Sequence, residues 1–544
     1  MSIMQPQNQT KKYDFLFSDI DSGIIKIPKF QRDFIWTKEQ TASLIDSIIK
    51  GYPIGTFIFW QTKEELRHFK EIGNISLPAT PVGTSVKYVL DGQQRITSLY
   101  AVRKGAIFTV EGKEIDYKDI CINLEAEIES EENVVLVEPP DELRFISVHD
   151  LLNNNLTTFI ATYSIEEIQK IQTYSQRLTT YDFSTIMIID YPLDIACDVF
   201  TRINTGGSVL TLFEIMVAKT YDIERDFDLL QQYELLLDNN NSGKDLEDAG
   251  FDTIPAQTVL QCISACLQGA IKRRDILRIN KADFINAWPQ VKDAIFLAVD
   301  WLTAHLRIPV SEMLPYNALL IPLAYLFYKN NFQPLTTRDG TLYEQYFWWA
   351  SLTNRFSSAV ETKMEQDLHR MDDILLGNQP NYRGEEIRIK LEDLLDRWFS
   401  AGEAFCKAIL CLYAFHQPRR FDTGGLVKID NSWLKQSNSK NYHHFFPNAY
   451  LKNKGLDYWQ SNCILNVTIV DDYLNKRKIK ARAPKDYMAE FQKNNKHFSE
   501  TMQSHLIPDL DEFGVWEDDF EKFQNARGDL VVDELNARLF PELD

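Results

Sequence analysis

KYVLDGQQRITSLY, residues 87–100, is the stretch whose reading decides the fold. Tyr88, Val89 and Leu90 form an apolar, β-prone run, Asp91 and Gly92 are a turn signal, and Ile96, Leu99 and Tyr100 then recur at helical spacing. The passage reads as strand, tight turn and helix start, the building unit of an α/β domain. A helix N-terminus presents backbone amides and partial positive charge to an anion, and Gly92 permits close backbone approach. Asp91 is placed to hold a cation or orient a water, Gln93 and Gln94 to meet phosphate or ribose, and Arg95 to grip phosphate through two N–H groups. Taken alone, this cluster is more simply turn chemistry, because Asp-Gly pairs and helix-capping arginines occur in any fold.

Two further clusters weigh against that simpler reading. Upstream, IIKIP is a short strand, and the polar loop KFQRDFIW carries Gln31 and Arg32. Thr37 and Gln40 have the spacing of a capping box for a helix closed by Gly51, and TFIFW is another strand. Residues 61–86 look like a loop-rich insertion, and strands are expected again near 121–124 and 186–189. DIACDVFTRIN then turns helical. The string FTRINTGGSVLTLFE sets Arg202 and Asn204 before a Gly206-Gly207 turn, with Thr211 and Glu214 spaced as a second capping box. Three clusters, each with an arginine beside a side-chain amide, point to phosphate handling in an α/β region ending near residue 225.

From 226 to about 400 the apolar residues recur at three and four, as in TVLQCISACLQGAI and YFWWASLTNRF, which predicts an all-α middle. The last region, 401–544, opens on the helical AFCKAILCLYAF and then carries adjacent histidines in NYHHFFP, residues 441–447. Phosphodiester hydrolysis needs an activated water, a cation against the developing charge, and fixed geometry. His444 is the candidate general base, His443 a metal ligand, and Asn466 after the apolar CIL a candidate to hold the imidazole in its working tautomer. Asn475, opening the basic helical segment NKRKIKAR, would return a second ligand to the metal. Mixed N and O ligation suits Mg2+ or Mn2+ better than structural zinc. This is the donor set of a one-metal ββα nuclease site; the plainer reading of the same residues is a pair of core or capping histidines beside a solvated basic helix, and spacing alone does not choose between them.

Charge bounds the partners. The 544 residues carry a formal charge of −20, which argues against a protein that coats nucleic acid by general electrostatics. Between residues 428 and 486, however, eleven basic residues face five acidic ones, a local +6 that includes Lys476, Arg477, Lys478 and Lys480. Such an island is the footprint expected for contact with a DNA backbone. Seven scattered cysteines show neither a disulfide framework nor a zinc pattern, fitting a reducing cytoplasm. The greasiest run, MLPYNALLIPLAYLFY, is too short and too interrupted to span a membrane and reads as a buried helix.

The pattern HxxP, then Asn466-Val467-Thr468, then an Asn entering a basic helix, resembles the C-terminal HNH-like (His-Me finger) domain of GmrSD-type modification-dependent restriction endonucleases. Many members of that family carry an acid before the catalytic histidine; His443 in that place resembles the double-His start of other HNH nucleases. IPKFQRDFIW, YPIGTFIFW, YVLDGQQRITSLY and FTRINTGGSVLTLFEI resemble the N-terminal domain of the same family, first catalogued as domain of unknown function 262 and built on a ParB/sulfiredoxin-like core. NRFSSAVETKMEQDL, residues 354–368, is similar to a stretch between the two domains in fused members. The resemblance implies an α+β multidomain chain: a ParB-like nucleotide-binding and DNA-sensing domain over 1–225, a helical spacer over 226–400 and a ββα-metal HNH-like nuclease over 401–544. By position, Asp91, Gly92, Gln93, Gln94 and Arg95 inherit a nucleoside triphosphate role (GTP or ATP), with Gln31, Arg32, Arg202 and Asn204 beside them. The implied partner is modified DNA, and the oligomeric state, a homo-oligomer included, stays open. Two rivals remain in the sequence: a nucleotide-gated DNA-binding regulator that does not cut, which an intact His444 with Asn466 and Asn475 disfavours, and a toxin-like nuclease.

Overall fold

Strand Val86–Asp91 and helix Gln93–Lys104 meet at Gly92, whose φ of 89° lies in the left-handed region. A Cβ there would overlap the Phe57 ring, so both the backbone and the available space select glycine. These elements belong to a computed structural model that describes residues 5–29, 31, 34–110, 113–128, 132–139, 143–203, 211–222, 224–239, 243–382, 384–385, 387–431, 442–470 and 474–542. Arg32, Asn204 and Gly206-Gly207 lie outside the described residues.

The architecture is mixed α/β and divides into two compact units, Met1–Phe227 and Asp228–Asp544. In the first, a five-stranded mixed sheet has the order Gln7–Lys12, Asp182–Ile189, Phe57–Thr62, Val86–Asp91, Ile25–Lys26. Phe57–Thr62 runs parallel to Asp182–Ile189 and antiparallel to Val86–Asp91. The inner strands are apolar because both faces are covered, whereas the edge strand QNQTKK is polar and lysine-ended, which discourages pairing with another chain. Phe57, Phe59, Val89, Ile96 and Leu99 are core residues between sheet and helices. Both expected capping boxes form, Thr37 with Gln40 and Thr211 with Glu214, each opening a helix where the sequence put one.

The second unit is predominantly helical. Ala256–Gln268, Lys281–Ala304, Leu320–Lys329 and Val360–Leu375 pack on one another, and the greasy run is indeed a buried helix. In NRFSSAVETKMEQDL, Arg355 grips the fully buried Asp367 through Nε and Nη2, and Tyr346 Oη donates to the same carboxylate at 3.0 Å. Arg355 and Arg370 lie over the Trp349 ring at 4.8 and 4.7 Å. That string is thus the sequence trace of a buried ion network.

Strands Tyr442–His444 and Val467–Ile469 form a two-stranded antiparallel ribbon, with His443 opposite Thr468 and His444 opposite Val467. The basic segment expected to continue as a helix makes only one wide, π-type turn, Leu474–Ile479. It ends at Lys480, whose φ is 54°, and the next helix, Pro484–Asn494, starts on a proline. Cations at 476, 477, 478 and 480 repel one another at helical spacing, which disfavours a longer regular helix. Among the described residues no helix is long and apolar enough to cross a membrane. All seven cysteines are buried, and none forms a disulfide.

Gly92→Ala should cost about 2–3 kcal/mol of stability, because it combines a strained φ with overlap on Phe57. Urea unfolding of wild type and variant measures this; equal midpoints would show that the junction is not sterically locked.

Candidate functional site

The ribbon alternates its side chains, so the two histidines part company. His443 is 1% exposed, with Phe421 and Tyr487 ring centroids at 6.1 and 6.3 Å. Thr468 Oγ1 donates to the His443 carbonyl at 3.2 Å, so its lone pair accepts from His443 Nδ1–H at 3.1 Å. Nε2 of His443 then carries a lone pair and has no hydrogen-bond partner among the described residues. Burial, with lesser contributions from His444 and His505, holds this imidazole down to about 3.

His444 lies on the other face and is partly exposed. Its Nε2 is 2.7 Å from Asn462 Oδ1. The Asn462 amide cannot be turned round, because its Nδ2 donates to the Phe399 carbonyl at 3.0 Å. Nε2 is therefore the protonated nitrogen, leaving the Nδ1 lone pair without a partner among the described residues. Desolvation lowers the His444 pKa, partly opposed by the Asn462 bond, so the ring is neutral at pH 7. A neutral imidazole with one nitrogen fixed and the other open is the chemical form of a general base.

Asn466 sits elsewhere. Its Oδ1 accepts from Phe446 N at 2.8 Å, and its Nδ2 donates to the carbonyls of Phe446 and Ser461 at 2.9 and 2.8 Å. It fastens the HFFP turn to the segment before the second strand, while the bond to His444 comes from Asn462, a residue the sequence reading did not single out. Nothing in residue type or spacing separates the two asparagines.

For a metal, the His443 Nε2 lone pair is one donor of the right chemistry. Among the described residues no group of three or more His, Cys, Asp or Glu could close a metal site. The side chains of Asn475, Lys476 and Arg477 are outside the described part of the structure. Lys478 Nζ reaches Asp422 at 2.8 Å, and Lys480 is exposed. Burial would raise the Asp422 carboxyl, but its bonds from Lys478 and Arg420 outweigh that and hold it below the usual range.

In the first unit, DGQQR divides by direction. Arg95 donates to the carbonyls of Ile54 and Thr56 at 2.6 and 3.0 Å and to Asp91 Oδ2 at 3.1 Å, with its guanidinium 5.1 Å from the Phe57 ring centroid. Most of its donors face the protein. Gly55, at φ 88°, leaves the space the guanidinium fills, which explains why YPIGTF and DGQQR occur together. Gln31 Nε2 donates to the Val89 carbonyl, and Gln94 Oε1 accepts from Ile35 N at 3.0 Å. Arg202 is exposed in the last turn of helix Leu193–Ile203.

Gln93 and Thr97, one helical turn apart, face outward into a cleft of about 840 Å³. Among the described residues, Lys29, Arg67 and Lys70 line it against one acid, Glu71, and Phe34, Phe69, Phe108 and Tyr221 supply aromatic walls. Lys29 Nζ lies 4.0 Å from the Phe69 centroid. Thr97 Oγ1 is buried there and has no hydrogen-bond partner among the described residues. Sequence reading found Gln93 but not the lysines and rings, which come from loops far apart in the chain.

Residues 14–221 match the family model of the GmrSD restriction endonuclease N-terminal domain. The match spans the sheet from Phe57–Thr62 to Asp182–Ile189 and all the motifs that carry the N-terminal resemblance, and it suggests a restriction-type endonuclease. The chain is also 25% identical to an uncharacterised protein, MJ0686, of Methanocaldococcus jannaschii, over 99% of this chain and 98% of that one.

The buried histidines set an acid limit on stability. His443 and His505 are both held to about 3 in the fold but titrate near 6.5 when unfolded. The unfolded chain therefore binds more protons between those values, so their contribution is complete above about pH 6.5 and is lost as pH falls toward 3. Each should add a slope of about 1.4 kcal/mol per pH unit in that window. Denaturant melts from pH 7.5 to 4.5 should show it, and His505→Gln should flatten it; a stability independent of pH there would contradict neutral buried imidazoles.

Proposed function

We propose that this chain is a metal-dependent DNA endonuclease of restriction type, acting in antiviral defence on modified DNA and controlled by a nucleoside triphosphate, GTP or ATP. The observation that carries the nuclease reading is His444: neutral, anchored through Nε2–H on Asn462, with Nδ1 open on the exposed face of the ribbon. The ribbon followed by a helical turn, and the match of residues 14–221 to a restriction endonuclease domain, support the same reading.

In this mechanism Nδ1 of His444 takes a proton from a water, whose oxygen attacks the phosphorus. The P–O bond to the leaving oxygen breaks as that oxygen takes a proton from a solvent water, and the His444 proton returns to solvent afterwards. The imidazolium that forms keeps its Nε2–H on Asn462 Oδ1, which stabilises the charge as it develops. A Mg2+ or Mn2+ ion, for which Asn475 would be a ligand, would neutralise the phosphate; His443, expected from the sequence as its partner ligand, is buried on the opposite face of the ribbon from His444 and is not placed to share that phosphate. Asn466 keeps the HFFP turn rigid, so that His444 does not have to be ordered on binding.

The cleft beside Gln93 and Thr97 is the proposed nucleotide site. Lys29, Arg67 and Lys70 suit the phosphates, the aromatic walls suit a base, and Thr97 Oγ1 is a buried hydroxyl lacking a partner among the described residues. Asp91, Gly92 and Arg95 serve it as scaffold by fixing the strand–helix junction from which Gln93 and Thr97 project. On this reading the chain works in three parts, 1–225 sensing, 226–400 spacing and 401–544 cutting.

His444→Ala should abolish Mg2+- or Mn2+-dependent cleavage with an unchanged circular dichroism spectrum; retained cutting sinks the nuclease assignment. Asn462→Ala should slow cleavage by about 10- to 100-fold. Because its bond favours the charged ring, its loss should also move the acid limb of the rate profile to lower pH. Lys29→Ala or Lys70→Ala should weaken triphosphate binding by roughly tenfold or more, the worth of one charge-assisted hydrogen bond. Calorimetry with GTP and ATP measures this, and unchanged affinity in both variants would remove the cleft from the proposal.

A further inference from the structure

Trp398, Tyr458 and Trp459 are 39, 58 and 68% exposed and form one cluster, with Trp398 at 5.0 Å from Trp459 and 6.4 Å from Tyr458 between ring centroids. Among the described residues no other exposed aromatic side chains touch each other. Keeping three large rings together in water is costly, and such groupings mark binding surfaces.

The cluster is tied to the candidate base by a short chain of bonds. Asn462 Oδ1 accepts from His444, Asn462 Nδ2 donates to the Phe399 carbonyl, and Phe399 N donates back to the Asn462 carbonyl at 2.8 Å. Trp398 precedes Phe399 and bridges Cys463, while Tyr458 and Trp459 open the short helix Tyr458–Ser461 that ends just before Asn462. Asp457 caps that helix by accepting from Gln460 N at 2.9 Å. The packed neighbouring helix, Asn448–Asn453, brings Asn448 to 3.5 Å from His444, and Lys452 and the following Lys454 stand exposed there. Open rings, two exposed cations and the base therefore share one neighbourhood.

We infer that Trp398, Tyr458 and Trp459 form a stacking platform for nucleobases of an unpaired strand whose backbone passes His444, so that the substrate at this site is single-stranded or locally opened DNA. This rests on the nuclease reading of His444. Size decides against a protein partner: the exposed parts of three such rings amount to roughly 400 Å², about half of the ~800 Å² per side that a stable protein interface buries. A base presents a flat π-face of matching size, and its phosphate suits Lys452 and Lys454. In an intact duplex both faces of an interior base are already stacked, so only an unpaired base can use the rings.

The test is binding of the full chain carrying His444→Ala, without cleavage, to a fluorescein-labelled 20-nucleotide single strand and to the corresponding duplex, read by polarisation. Adding Trp459→Ala should weaken single-strand binding by roughly 5- to 150-fold, the range for one lost base stack, and duplex binding by less than about twofold. Trp459→Phe should restore most of the affinity, and Tyr458→Ala should act in the same direction as Trp459→Ala. Unchanged single-strand affinity in both alanine variants, or equal loss on single strand and duplex, would overturn the platform. A shift from dimer to monomer on light scattering, with DNA affinity unchanged, would overturn it in favour of a contact between copies. None of these outcomes depends on cleavage, so failure of the platform is distinguishable from failure of His444 as the base.

Discussion

Arg527 has none of its residue exposed and no carboxylate pairs with it among the described residues, yet its guanidinium donates to three carbonyls. Nη1 reaches Leu465 and Val467 at 2.6 and 2.7 Å, Nε reaches His505 at 3.2 Å, and the plane lies 4.4 Å from the Tyr413 centroid. Desolvation lowers its pKa, but an arginine starts so high that it stays charged. A buried cation neutralised only by carbonyl dipoles and a ring face tolerates little displacement, since each lost bond leaves charge unsolvated. The two carbonyls it holds flank Asn466, so this one side chain on helix Phe520–Leu539 fixes the entry to the second ribbon strand. Asn466 then fixes the HFFP turn, and Asn462, four residues earlier, fixes His444.

That dependence accounts for two adjacent imidazoles having opposite characters. Strand alternation sends His443 into the core, where desolvation makes the charged form prohibitive and its free nitrogen is a permanent lone pair. His444 faces the rim, where desolvation lowers its pKa and the Asn462 bond opposes that shift, leaving a ring that is neutral at pH 7. A slip of one residue in the ribbon would exchange these environments, exposing His443 and burying His444. The register is therefore a chemical requirement as well as a packing one, and a buried arginine is a stiff way to enforce it.

The strand–turn–helix at residues 87–100, both capping boxes and the buried helices were legible because each is written in local periodicity and turn chemistry. Partner choice was not. Asn462 and Asn466 are equivalent by type and lie on either side of the same short apolar run; the turn Ile464–Asn466 decides which amide meets the imidazole. Arg95 likewise has the chemistry of a phosphate ligand, and only the approach of Gly55 and the carbonyls of Ile54 and Thr56 shows where its donors go. The basic segment misled in the other direction: its clustered cations, a left-handed Lys480 and Pro484 stop the helix after one turn.

The N-terminal motifs gain a different meaning from this geometry. Gln31 is bonded to strand Val86–Asp91 through Val89, and Ile35 to helix Gln93–Lys104 through Gln94, so the IPKFQRDFIW loop is bolted to both sides of the strand–helix junction. Lys29, just outside those bolts, and Phe34, between them, line the cleft. A ligand drawn to Lys29 would load the loop near its fastened points, and the strain would pass to the junction that Arg95 braces from the opposite side. Coupling by this route needs differential contacts in two states of the loop. It also assigns the two glutamines of DGQQR different work: Gln93 meets the cleft, and Gln94 carries the load from the loop into the helix.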